Sequence, residues 1–208
     1  MLYELELDMK QYRDAYNELL EDARARTVTV DKALGQYIAF TPFEREIAGI
    51  PHGELLQGAP ESMENIYEYW RDSDGRIVCV KHHITDGVAS HCFIRPEGSD
   101  GRRVKMFEYL SPTMLRSVKM IVNDDSYRIK YFYIFGTARN ETRIYHFDDN
   151  LCRLADISRL FENNDPECGL GDLSESTVRI IYSPENNRPA ELVETLDNGE
   201  RKTLWPMQ

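Results

Sequence analysis

Long apolar runs are missing from this sequence. None approaches the ~20 residues that a helix needs to cross a bilayer, so no membrane association is expected. The opening MLYELELDMKQYRD has no basic segment followed by an apolar run. No secretory signal is expected, and the expected location is cytoplasmic. Cysteine is scarce: Cys79, Cys92, Cys152 and Cys168 are the four in 208 residues, and in that compartment thiols stay reduced. Positive charge is also short. Lys and Arg number 25 against 36 Asp and Glu, a formal charge of −11. Such a surface repels phosphate backbones, so no nucleic-acid partner is expected. It favours basic partners and speeds their encounter.

Catalytic and cofactor signatures are absent too. There is no Gly-x-x-x-x-Gly-Lys-Ser/Thr loop and no Gly-x-Ser-x-Gly elbow. His52-Gly53-Glu54 matches the His-x-Glu of zinc deaminases, but Pro166-Glu167-Cys168 lacks the second Cys that chemistry requires. The carboxylate pairs Asp124-Asp125 and Asp148-Asp149 stand among turn formers, where they are solvated hairpin residues rather than acid/base pairs. No cofactor is expected and no enzyme is indicated.

What the chain does hold is hydrophobic residues at 41%, charged residues at 29%, and twelve Tyr with eight Phe. This is enough apolar and aromatic material for a packed core rich in strands. The spacing predicts an α+β protein, mainly β: a large antiparallel meander with an N-terminal helix packed on it. Residues 1–60 would form a strand-helix-hairpin segment and loop, and residues 61–208 an antiparallel β-hairpin domain, the two making one continuous fold. Leu2 to Leu7 alternate apolar and acidic as in a strand. Asp8 then stands as an N-cap for a helix from Met9 to Arg26, with Tyr12, Tyr16, Leu19 and Leu20 at helical spacing. Thr27 to Phe40 read as a hairpin or two short strands, and Pro42 to Glu61 as a loop with a short helix near Phe43 to Ala48.

From Asn65 onward Asp-Gly turns separate apolar runs. Gly supplies the positive φ such turns need. Strands are expected over Ile66–Trp70, Arg76–Val80, Ser90–Ile94, Val104–Leu110, Met114–Asn123, Tyr127–Phe135, Arg143–Phe147, Val178–Tyr182, Ala190–Leu196 and Arg201–Trp205. Asp156 to Phe161 read as a short helix or helical turn, and residues 162–175 as a loop.

Cys79, His82, His83, His91 and Cys92 fall on the two arms of one predicted hairpin. Zinc takes such ligands as a tetrahedron. Strand alternation, however, puts Cys79 and His83 on one face and His82 on the other, so core Cys and exposed His are expected and no metal.

The run Tyr67-Glu68-Tyr69-Trp70-Arg71-Asp72-Ser73-Asp74-Gly75-Arg76-Ile77 resembles a YD repeat of the Rhs type: aromatic-x-aromatic, an acidic residue, a Gly turn, then Arg and an aliphatic residue. Tyr145-His146-Phe147-Asp148-Asp149-Asn150, followed by Arg153-Leu154, looks like a degenerate copy, and Asp197-Asn198-Gly199-Glu200-Arg201 keeps the turn. No fixed period links them. The resemblance implies a place in bacterial Rhs-type or polymorphic toxin systems, and for a small acidic chain the role of an immunity protein. The expected function is therefore non-catalytic binding of a basic protein, with Asp72, Asp74, Asp148 and Asp149 as acidic contacts and Tyr69 and Trp70 as anchors. The alternative is a small hydrolase or transferase with a site in the polar loops near His82, His83 and His91.

Overall fold

The computed structural model describes residues 1–85, 87–148, 151–161, 173–183, 185 and 188–205. Among the described residues three helices, α1 (Leu2–Gln11), α2 (Tyr16–Arg26) and α3 (Glu44–Ala48), accompany thirteen strands. These are β1 (Thr29–Leu34), β2 (Glu54–Leu55), β3 (Ile66–Arg71), β4 (Ile77–Thr85), β5 (Val88–Glu97), β6 (Arg103–Ser111) and β7 (Met114–Asn123). They continue with β8 (Ile129–Gly136), β9 (Arg139–Asp148), β10 (Leu151–Phe161), β11 (Leu173–Tyr182), β12 (Pro189–Leu196) and β13 (Arg201–Trp205). The strands form one antiparallel meander. From β3 to β13 each strand pairs with the next in sequence, and β1 and β2 extend the sheet beyond β3. The mainly β architecture with N-terminal helices is as the sequence predicts. No helix among the described residues is long and apolar enough to cross a membrane.

The chain divides into two compact units. Unit 1 comprises Met1–Ile38 and Pro51–Met120; unit 2 comprises Ala39–Ile50 and Ile121–Gln208.

In unit 1 the register sets two rows side by side on one sheet face. Trp70, Cys79, Phe93 and Phe107 form one row; Glu68, Lys81, His91 and Tyr109 form the next. The helices cover this face. Tyr12 packs on Phe107 with rings tilted by 39°, and Tyr16 meets Phe93 and Tyr109 edge-on. Leu5, Leu19, Phe93, Phe107 and Tyr109 are almost fully enclosed. Each such side chain contributes about 1.5–3 kcal/mol through burial.

Five local expectations are corrected. Residues 2–7 are helix, not strand. Helical spacing sets Glu4 and Asp8 one turn apart, so both reach the Lys105 ammonium, at 3.1 and 2.7 Å. Asp8 is buried within α1 rather than capping a helix start. The single helix expected over Met9–Arg26 is instead two, broken at Tyr12, whose carbonyl accepts the Tyr109 hydroxyl and the Ala15 N–H. Thr27–Phe40 hold one strand, because Gly35 adopts φ 74° and turns the chain off the sheet. It does so against Gly53, where a Cβ would lie 2.4 Å from the Gly35 carbonyl oxygen. Asp156–Phe161 belong to β10 rather than a helix.

In unit 2 the enclosed face of the sheet sets an ionic network among apolar side chains, Phe132, Ile157, Val178 and Leu192 among them. Glu141 is 1% exposed and receives Arg143 Nε, Arg159 Nε at 3.2 Å and Arg139 Nε at 3.3 Å. Arg159 continues to Glu194 at 3.2 Å, and Ser176 Oγ donates to the same Glu194 oxygen at 2.7 Å. Burial pushes the Glu141 carboxyl up, but the three guanidiniums outweigh it and hold it below the usual carboxylate range.

Candidate functional site

The expected acidic contacts sit on hairpin turns, and the turns claim part of them. Asp72 Oδ1 accepts the N–H groups of Asp74 and Arg76, while its other oxygen lies 3.8 Å from Arg26. Asp124 repeats the geometry, accepting from Ser126 and Arg128. In both turns the fourth residue has positive φ, Gly75 in one and Tyr127 in the other. Asp72 is thus mainly a turn-forming residue. Asp74 is exposed and pairs with Arg76 at 3.0 Å; Asp148 is exposed, 4.0 Å from Arg153. Asp149 lies outside the described residues, as do Asp86, Asn150 and most of the 162–175 segment. Tyr69 is enclosed, and its hydroxyl accepts the N–H groups of Tyr37 and Ile38. Trp70 is half-buried and donates to Glu68 at 3.2 Å.

The histidines expected to be exposed are not. His83 and Glu68, diagonal neighbours across β3 and β4, approach to 3.2 Å with side chains 13% exposed. Burial pushes the Glu68 carboxyl up, but the Trp70 N–H, Lys81 and His83 together hold it below its ordinary value. His91 accepts or donates at 3.2 Å to the Tyr16 hydroxyl. Burial, with Lys81 beside it, brings its imidazole down to about 4. Burial also raises the Cys79 thiol well above its usual range, so it stays protonated and is no nucleophile. His82 stacks on Tyr67 with ring centroids 4.0 Å apart, and strand alternation places it on the sheet face opposite Cys79 and His83. Among the described residues no three His, Cys, Asp or Glu side chains group closely enough to hold a metal.

A concavity of about 470 Å³ lies in unit 2, on the sheet face opposite the Glu141 network. It arises from register. Ile144, Asp156, Thr177 and Thr195 stand side by side on four consecutive strands, and Thr142, Ser158 and Glu175 form the next row. Short side chains in adjacent rows leave a hollow that longer ones would fill. Asp156 is fixed within it: Thr177 donates to Oδ1 at 3.0 Å and His146 Nε2 lies 2.8 Å from Oδ2. Asp156, Glu175 and Asp197 line the hollow with no Lys or Arg among its lining residues. Its lining mixes these carboxylates and hydroxyls with Ile144, Ile157 and Leu196, a chemistry suited to a cationic side chain on an aliphatic stem. The sequence signal was the alternation Asp156-x-Ser158 across from Glu175-x-Thr177, hidden because that stretch reads as helical.

No family model, curated protein or solved structure matches this chain.

Proposed function

We propose that this chain is a non-catalytic binding protein that engages a basic protein partner through the acidic groove of unit 2. The observation that carries this is the groove lining: three carboxylates, five hydroxyl residues on consecutive strands, and no Lys or Arg. The −11 charge supports it by attracting basic surfaces at a distance. Exposed turn carboxylates such as Asp74 and Asp148 act on the encounter through the overall field; Asp156, positioned by His146 and Thr177, acts on the bound state. The resemblance of Tyr67–Ile77 to a YD repeat extends the proposal to an immunity-type inhibitor that neutralises a basic cognate toxin.

Affinity capture from source cells, comparing the wild type with the Asp156→Asn/Glu175→Gln/Asp197→Asn triple variant, tests the groove. The expected result is a basic protein recovered by the wild type and lost by a folded triple variant. Equal recovery by both, or an acidic capture, overturns the proposal.

A second reading, a small hydrolase or transferase, draws on the His83–Glu68 pair. Such a pair serves general acid–base work only if substrate reaches it. A hydrolytic activity abolished by His83→Gln in a protein that still folds would select it over binding.

A further inference from the structure

At one end of the sheet the outermost strand, β2, is two residues long and pairs only with Ala33 and Leu34 of β1. The Lys32 carbonyl accepts the Leu56 N–H, so it points outward from β3. Strand alternation then turns the N–H and C=O of Val30 to the same outer side, beyond the reach of β2. The side chains there are apolar and open: Val28 is 66% and Val30 44% exposed. Proteins ordinarily blunt such edges with Lys, Pro, a bulge or a covering element. The opposite end of the sheet does so, with Arg201 and Lys202 exposed on β13 and α3 packed against it. Thr29 to Asp31 carries no Lys and no Pro, and the Lys that follows, Lys32, is drawn to Glu68 at 3.6 Å. The one acidic side chain of this stretch, Asp31, keeps 42% exposure while pairing with Arg71 at 2.6 Å.

We propose that the outer edge of β1 is a strand-addition site that takes an extended segment of a partner protein alternating apolar and cationic side chains. Main-chain bonds to Val30 hold the segment, an apolar side chain covers Val30, and a cation meets Asp31. Charge complementarity selects this occupant over a second copy. Two chains of −11 repel, and antiparallel self-pairing centred on Asp31 sets like charges opposite each other, while pairing centred on Val30 gives Asp31 only Thr29. The proposal concerns unit 1 and stands apart from the groove of unit 2.

The test titrates the full chain with an alternating Lys-Val peptide, its Glu-Val counterpart, and a Lys-Val peptide N-methylated on every other amide. Amide chemical shifts give the site and fluorescence anisotropy the affinity. Expected are shifts confined to β1 and its neighbours with the Lys-Val peptide, and binding about tenfold weaker or worse for the Glu-Val and N-methylated peptides. Asp31→Lys should invert the preference between Lys-Val and Glu-Val, which keeps the test decisive even where Val30→Pro does not fold. Equal binding of both charge types, undiminished binding of the N-methylated peptide, or shifts elsewhere overturns the proposal. So does a concentration-dependent dimer that occupies the Val30 amide.

Discussion

The enclosed centre of unit 1 is aromatic; that of unit 2 embeds an ionic network among apolar side chains such as Phe132, Ile157 and Val178. In unit 1 Tyr16, Phe93, Phe107 and Tyr109 meet under the helices, and charge is held at the margin, where Lys105 gathers Glu4, Asp8 and Glu97. In unit 2 Glu141 and Arg143 are themselves enclosed, with Arg159 and Glu194 continuing the network. An apolar core resists a lost contact in proportion to the area removed. A buried ionic core fails sharply when one partner is removed, because the remaining charge is left in low dielectric. The two units should therefore respond differently to the same kind of substitution.

The largest effect is expected in unit 2. Glu141→Leu strands Arg143 and should cost about 3–5 kcal/mol in urea denaturation. Replacing Glu141 and Arg143 together with Leu and Met should recover most of that loss. If Glu141→Leu costs less than about 1 kcal/mol, the network is dispensable and the contrast fails. In unit 1 Leu19→Ala should cost about 2–4 kcal/mol, nearly independent of pH. A variant that melts like wild type would mean that α2 is not docked.

A smaller effect is expected at the margin of unit 1. Lys105→Met should cost about 1–3 kcal/mol at neutral pH. The wild-type advantage should shrink as the pH falls through the carboxylate range, because the Glu4 carboxyl is held below its ordinary value by Lys105 and Arg103 against burial. A pH-independent difference would assign the loss to packing of the Lys stem instead.

The smallest belongs to His91. Its folded-state value of about 4 lies below the ordinary 6.5. The unfolded chain therefore takes up a proton first, and stability falls as pH drops from 6.5 to 4. After allowance for solvent screening the loss is on the order of 1 kcal/mol. Lys81, Arg24, His83 and Glu68 act on this imidazole, and the Tyr16 hydroxyl touches it. His91→Phe should flatten that window but leave the decline below the carboxylate range, where Glu68, Glu108 and Glu141 lose their partners. An unchanged slope between pH 6.5 and 4 would contradict this.

The same contrast explains what the sequence discloses. The hairpins from β3 to β9 are legible because turn residues with required φ, such as Gly75, separate runs with period two. α1 is not, since six residues of apolar-acidic alternation fit both periods, and the deciding partner, Lys105, lies 97 residues beyond Asp8. β10 is obscured for the reason that unit 2 is distinctive: Arg159 points inward to Glu141 and Glu194, so a charged residue occupies a core position. The groove was lost with it, because its rows exist only once β10 is a strand. The acidic turns were visible, but not that Asp72 spends itself on its own backbone.

The acidic groove of unit 2 is proposed to bind a basic partner. Its most direct test is association kinetics with the captured protein between about 50 and 200 mM salt, a range that changes screening appreciably. The predicted result is slower association at higher salt, with Asp156→Asn acting chiefly by speeding dissociation. Salt-independent association together with unchanged dissociation of Asp156→Asn would contradict it.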